Sequence, residues 1–397
     1  MNFDLTDDQR AFADMAAGLF ADYCSDEQLR AHDAAGTEPF FKDLWQQCVA
    51  AGLNSILVPE EHGGLGLGMT ELMAVLQQQG SALALVPLWE PQVTVAALAQ
   101  FSPAALPQVL DDAMGSEVPV ALSLQSLSRS RGPSLQLSRA GAGWTLSGFE
   151  SAVALAAQAR YALLAAQVDG SADGEMRLVL VDVTQAGVQR TAGRDQHHQS
   201  IADLVFDGVA LKAENVLPLA ATAWVEQRAI ACVAALQLGV TEQQLRRTVA
   251  YVSEREQFGR VIGSFQLVAG QMADGHIATE ALRSVLWQLV YRLDANVGAA
   301  PHAYGVRVLA NDTGHRAGHM AQHVHGGIGV DLTYPMHRFL FWTRALGAAL
   351  GSSERHLAQL GDWLVENDHL GWKYDAPEDD GSSAANSNTT TNNRKEA

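Results

Sequence analysis

The sequence predicts a mostly helical α+β protein in which a helical region, a small antiparallel sheet and a helical bundle follow one another. Three observations carry this. Apolar residues recur at helical spacing over about residues 1–115, and again from Ala221 to about Glu366. Between Val118 and Leu217 the period becomes that of short strands, with Gly, Asp and Ser at the turns. The length, 397 residues, exceeds what one core usually serves, so two or three domains are expected. The boundaries implied are 1–117 helical, 118–217 β-barrel-like, 218–372 helical bundle and 373–397 disordered.

Taken in order, Thr6 to Gln9 is an N-cap with its capping-box partner. Phe12, Met15, Ala16, Leu19 and Phe20 then form the stripe of an amphipathic helix. A second helix spans about Phe41–Ala51 and stops at Gly52. The run from Val58 to Gly66, VPEEHGGLG, cannot continue a helix and predicts a loop, followed by a helix from Thr70 to about Gln79. Strands are expected at Trp144–Ser147, Tyr161–Val168, Met176–Val183 and Ala202–Phe206. Apolar stripes at Ala229–Val240 and Leu282–Leu293 predict bundle core. From Asp375 the chain is polar, of low complexity and without apolar anchors, so it cannot offset its ordering entropy.

Hydrophobic residues make up 48% of the chain, ample for large cores, and charged residues 18%. A net charge of −18 argues against nucleic acid or an anionic membrane surface as partner. Cys24, Cys48 and Cys232 are scattered and odd in number, which predicts buried thiols in a reducing compartment. The acidic N-terminus lacks a signal-peptide pattern, and no apolar run of membrane-spanning length is expected. The expectation is a soluble, cytoplasmic protein.

Two segments carry most of the chemistry. Residues 251–266 read YVSEREQFGRVIGSFQ, which suggests Arg255 and Phe258 one helical turn apart, a break at Gly259 and a new helix from Phe265–Gln266. Residues 323–335 read HVHGGIGVDLTYP, a helix running into Gly326–Gly327, where bare backbone N–H groups can meet an anion. His315, His319 and His323 stand at i, i+4 and i+8, with His325 beyond, but no HExxH glutamate or distal ligand accompanies them, and no metal site is expected.

The two segments, in this order and spacing, resemble the paired flavin-binding signatures of acyl-CoA dehydrogenases. The resemblance covers about residues 1–370 and includes the PEEHGG loop and the VFDGV strand end at 205–209. It implies an N-terminal helical domain, a middle antiparallel β domain and a C-terminal four-helix bundle. It also implies that Arg255, Gln257, Phe258, Phe265, Gln266, His323, Gly326 and Gly327 hold the adenosine diphosphate part of FAD across a subunit interface. A guanidinium suits a pyrophosphate, and glycine amides donate to phosphates. Family members usually carry Gln where this chain has His323.

The same resemblance shows what is missing. The family's base is a glutamate at one of two places, which fall here on Ala229 and Leu350. Neither can take a proton. Glu226 and Glu354 lie a turn away and read first as surface charges near helix ends. The Trp and Thr that meet the flavin ring become Ala152 and Ala154, and Leu122–Gly132 lacks the family's Gly- and acid-rich pattern.

The expectation is therefore an FAD-dependent acyl-CoA dehydrogenase subunit with no catalytic residue of its own. A homologous subunit would supply the glutamate in a heterotetramer, as in the heteromeric steroid-CoA enzymes of bacteria that this chain resembles. The substrate implied is a steroid side-chain CoA thioester, and the acceptor an electron-transferring flavoprotein. Two alternatives stay open: a homomeric enzyme with Glu226 as base, and a catalytically dead scaffold or CoA-ester-binding regulator.

Overall fold

The structure is a computed structural model that describes residues 4–36, 38–128, 135–171 and 174–367. The tail expected to be disordered lies outside the described residues, and the Leu122–Gly132 segment is described only through Ser128.

The first region holds α1 (Asp7–Tyr23), α2 (Asp26–Ala35), α3 (Lys42–Ala50), α4 (Met69–Ala82), α5 (Trp89–Phe101) and the short α6 (Leu110–Met114). The Thr6 capping box forms as expected: Gln9 N–H donates to Thr6 Oγ1 at 3.3 Å, and Thr6 N–H to Gln9 Oε1 at 3.0 Å. The buried face of α1 is Ala13, Ala16 and Phe20, while Met15 is exposed, so the stripe sits slightly to one side of the sequence reading. The VPEEHGGLG run is a loop holding one 3₁₀ turn, Glu60–His62.

Seven strands follow: β1 (Ala121–Ser123), β2 (Leu135–Ala140), β3 (Gly143–Ala154), β4 (Tyr161–Val168), β5 (Met176–Asp182), β6 (Val188–Arg194) and β7 (Ser200–Leu211). They form one seven-stranded sheet in which β4 pairs with β1, β2 and β5. The expectation of a purely antiparallel sheet needs correction. Both β1 and β2 run parallel to β4, whereas the other neighbours are antiparallel. Period-two alternation says that a segment is a strand but not which strand it pairs with. β3 carries two bulges against β7, and Ala152 sits in the second at φ 51.

The last region consists of α7 (Leu219–Glu254), a two-strand hairpin β8 (Glu256–Gln257) and β9 (Arg260–Val261), then α8 (Gln266–Asp294), α9 (Ala300–His325), α10 (Met336–Ala348) and α11 (Ser353–Glu366). α7 is long and apolar enough, by length and composition, to cross a membrane, which the sequence reading had not expected. Its apolar window is 67% buried inside the protein, where it is the central helix of the bundle. α4 crosses it closely at Gly80 and Gly239, since a Cβ added at Gly239 would lie 1.9 Å from the Gln77 carbonyl oxygen. Cys24, Cys48 and Cys232 are free and buried, and burial pushes the Cys24 and Cys48 thiols up to about 12.

Candidate functional site

α7 ends at Glu254, and Arg255 is already extended at φ −69, ψ 121. The chain then turns back as the β8–β9 hairpin, with Ile262 N–H donating to the Arg255 carbonyl at 2.8 Å. Phe258 and Gly259 form its tip at φ 54 and φ 79, the two successive left-handed residues of a tight hairpin turn. The expected helical turn between Arg255 and Phe258 is therefore corrected to a hairpin. Gly259 adopts this conformation at no steric cost, whereas Phe258 is held in it with 92% of its surface exposed. Phe265, at the entrance to α8, meets the Phe258 ring edge-on at 6.2 Å and carries the Arg260 guanidinium 4.0 Å above its own ring.

α9 runs into Gly326 as expected. Gly326 has φ 61 and ψ −140, and open space surrounds the Cα of both Gly326 and Gly327. The two expected segments meet through aromatic rings. His325 is buried at the end of α9, its Nδ1 2.7 Å from the Ala321 carbonyl oxygen, and stacks on Tyr251 at 4.2 Å. Tyr334 also packs against it, with ring centroids 5.6 Å apart. Burial holds the His325 imidazole below its ordinary pKa, so it is a neutral packing ring.

Around this joint Arg255, Gln257, Phe258, Gln266, His323, Gly326 and Gly327 are exposed, and Phe265 is half-buried. Among the described residues the Arg255 guanidinium has no ion-pair partner. A guanidinium without an ion-pair partner beside exposed rings can meet a flat, anionic ligand, whereas the Gly326 N–H, expected to be bare, already donates to the Gln322 and His323 carbonyls and is corrected to a helix cap. His315 and His319 lie 4.5 Å apart between ring centroids, but no metal-binding group occurs among the described residues.

A cleft of about 400 Å³ lies where all three regions meet. Ala152 and Ala154 of β3 line it, as do Leu236 of α7 and Leu350 from the loop after α10. The buried Arg307 of α9 sets that loop: its Nη2 donates to the carbonyls of Gly347 at 2.9 Å, Ala349 and Gly351 at 3.2 Å. Burial lowers this guanidinium to about 10. Leu350 itself sits at φ 59, a conformation that leucine rarely adopts.

Neither candidate acid reaches the cleft. Glu226 is 7% exposed, and its Oε1 accepts from Arg355 Nη2 of α11 at 2.8 Å. The surface-charge reading of Glu226 is thus corrected to a buried ion pair, and a base in the cleft loses its geometric support. Glu354 stands at the start of α11, where backbone N–H donors hold its carboxyl below the usual range. Ala229 is buried and does not line the cleft, whereas Leu350 does.

Sequence reading missed two acids. Glu150 on β3 is fully buried, accepting from Ser123 Oγ at 2.8 Å and Ser126 Oγ at 2.7 Å beside the cleft. Glu90 lies in the cleft wall at 7% exposure, and burial raises its carboxyl to about 7. Its signal was one acid ahead of the apolar run VTVAALA in α5.

Comparison with known proteins follows the same lines. The N-terminal and C-terminal domains of acyl-CoA dehydrogenases match residues 6–106 and 222–365. Acyl-CoA dehydrogenase FadE27 of Mycobacterium tuberculosis is 32% identical over 92% of this chain and 99% of its own length. The crystal structure of the ChsE4-ChsE5 complex from Mycobacterium tuberculosis superposes with a TM-score of 0.84 at 31% identity, over 92% of this chain and 100% of that one. A variant of the Tcur3481-Tcur3483 steroid ACAD does so with 0.82 at 31% identity, over 91% and 98%. Two matched domains and end-to-end likeness to such relatives place this chain in the acyl-CoA dehydrogenase family.

Proposed function

We propose that this chain is the subunit of a heteromeric acyl-CoA dehydrogenase that holds the adenosine diphosphate part of FAD for its partner's active site. One observation carries the reading: the side chains that the resemblance assigns to FAD across the interface are retained and exposed, while the positions it assigns to the ring contacts and the base in the chain's own cleft are alanine and leucine. Arg255 is exposed and has no ion-pair partner among the described residues, and Phe258 is 92% exposed. In the chain's own cleft, Ala152, Ala154 and Leu350 stand where the resemblance places the ring contacts and the base. Selection for a pocket of its own would not leave that split.

The chemistry assigned to this chain is binding and orientation. FAD, when bound, accepts the β-hydride of an acyl thioester. Arg255 would neutralise the pyrophosphate, the bare Gly326–Gly327 turn would let it approach the backbone without side chains in the way, and Phe258 with Phe265 would cover the adenine side. Gln257, Gln266 and His323 would add hydrogen bonds at the rim. Exposed apolar residues near these segments, including Leu267, Ile328, Val330 and Leu332, suit burial against a second subunit.

The paired names of the ChsE4-ChsE5 complex and of Tcur3481-Tcur3483 support a heteromeric partner, and the words "steroid ACAD" support a steroid-bearing CoA thioester as substrate. An electron-transferring flavoprotein as acceptor and a cytoplasmic location belong to the same reading. The test is purification of this chain alone and together with a co-encoded homologue that carries the glutamate. Flavin and turnover are expected only in the joint preparation. A yellow, active homo-oligomer of this chain alone would refute the reading and favour Glu226 as base. A joint preparation that never binds flavin would favour a scaffold.

A further inference from the structure

The cleft that lost its flavin contacts was not filled. At about 400 Å³ it stays within the range of small-molecule sites. Its wall is mostly apolar, including Leu236, Trp342 and Leu350, and none of the described residues lining it is Lys or Arg. Among the polar side chains in that wall, Glu90, Gln79 and Ser123 are buried, and Ser123 already donates to Glu150 at 2.8 Å. Glu90 of α5 is 7% exposed and Gln79 of α4 is 3% exposed. Glu90 Oε2 and Gln79 Oε1 are both buried without a hydrogen-bond partner, although the Gln79 amide nitrogen donates to the carbonyls of Ala84 and Val86 at 3.0 and 2.9 Å. A buried polar atom without a partner is costly, so two on one cleft wall mark a place where a partner belongs.

The chemistry of that partner follows from the two groups. Because its amide nitrogen is committed, Gln79 presents only an acceptor. Burial raises the Glu90 carboxyl to about 7, so near neutral pH the neutral acid, which donates through its hydroxyl, is well populated. One group that both donates and accepts, an alcohol, answers both. An anion finds no Lys or Arg among the described lining residues, Asp195 and His197 of the lining already pair with each other at 2.7 Å, and the mostly apolar wall penalises a charge brought in from water.

We propose that this chain's own cleft is a binding site for an uncharged, largely apolar alcohol, anchored by its hydroxyl at Glu90 and Gln79. The site needs neither flavin nor the partner's active centre, so it is independent of the role proposed above for Arg255. Trp89 and Trp342 line the same cleft, so occupancy alters their fluorescence.

The test uses three cage molecules that differ in one group, 1-adamantanol, 1-adamantanecarboxylate and 1-adamantylamine. Each is titrated into the full-length chain without flavin or acyl-CoA, or into its complex with the partner if the chain is obtained only that way. Tryptophan fluorescence and calorimetry follow binding. The alcohol is expected to bind saturably and about tenfold more tightly than the carboxylate or the amine, the worth of one buried hydrogen bond. Glu90→Leu and Gln79→Leu should each weaken it about tenfold, while Glu90→Gln, which keeps a donor, should stay within about threefold of wild type. Trp342→Phe should reduce the fluorescence signal without abolishing the heat of binding. If 1-adamantanol does not bind, if the amine or carboxylate binds as tightly, or if both leucine variants bind like wild type, the proposal is overturned. Because the Glu90 and Gln79 variants leave Arg255, Phe258 and the Gly326–Gly327 turn untouched, none of these outcomes bears on FAD binding across the interface.

Discussion

Tyr251 stacks on His325 with ring centroids 4.2 Å apart and planes 19° from parallel, which ties the end of α7 to the end of α9. The segments on either side of this contact are those that would hold FAD, so the stack fixes their spacing. Tyr251→Leu should lower stability by about 1 kcal/mol, the worth of an aromatic pair beyond its buried area. It should also weaken flavin retention in the assembled complex. Thermal unfolding together with the flavin-to-protein absorbance ratio measures both.

Close approach of α4 and α7 gives a second prediction. The Cβ in Gly239→Ala would meet the Gln77 carbonyl oxygen at 1.9 Å and the Ser81 backbone nitrogen at 2.8 Å, both backbone atoms that cannot swing aside. The helices must separate, and a loss of about 1–3 kcal/mol or more is expected. Gly18→Ala in α1 is the control, since nothing lies within 4 Å of its added Cβ. It should be neutral or stabilise by up to about 1 kcal/mol. Denaturant midpoints of the two variants decide this.

Glu90 makes stability depend on pH. Its carboxyl rises from 4.5 in the open chain to about 7 in the folded protein because it is buried. The folded state therefore holds this proton more tightly, so its contribution is full below pH 4.5 and is lost as pH rises to about 7. Glu90→Gln carries no such proton and should gain on wild type over that window by an amount on the order of 3 kcal/mol. Equal pH profiles for the two proteins would contradict the burial argument.

Arg307 holds the loop that presents Leu350 to the cleft. Arg307→Leu leaves the carbonyls of Gly347, Ala349 and Gly351 without their shared donor. A loss of about 3 kcal/mol and faster proteolysis between α10 and α11 are expected. Limited proteolysis with mass analysis of the fragments locates the cut.

Asp294, at the end of α8, caps α4 from outside. Its carboxylate accepts from Met69 N–H at 2.6 Å, and from Thr70 N–H at 3.0 Å and Thr70 Oγ1 at 2.6 Å. Asp294→Ala should cost about 1–2 kcal/mol, as loss of an N-cap does. Chemical denaturation is a sufficient readout.

Much of the architecture was legible in the sequence because burial writes a period into the chain. The Ala229–Val240 stripe became the buried heart of α7, and the Tyr161–Val168 run became β4. What depends on distant partners was not legible. The parallel pairing of β1 and β2 with β4 leaves no mark in either strand's own alternation. The hairpin at Glu256–Val261 was hidden because Arg255 and Phe258 have helical spacing, and the left-handed turn rests on Gly259 and on a phenylalanine that does not advertise it. Glu226 looked like a surface charge because its partner, Arg355, lies on α11, far along the chain. Glu90 and Gln79 are likewise joined only by the cleft that they share.

The most direct test of the central claim is the FAD affinity of the assembled complex when Arg255→Ala is made in this chain alone. Arg316→Ala, which removes only an exposed pair with Asp312 on α9, is the control. If Arg255 serves a flavin in the partner's active site, affinity should fall by about 10- to 100-fold, the loss of a charge-assisted contact. Turnover should recover when free FAD is added in excess, and the control should match wild type. Unchanged FAD affinity in the Arg255→Ala complex would contradict the account.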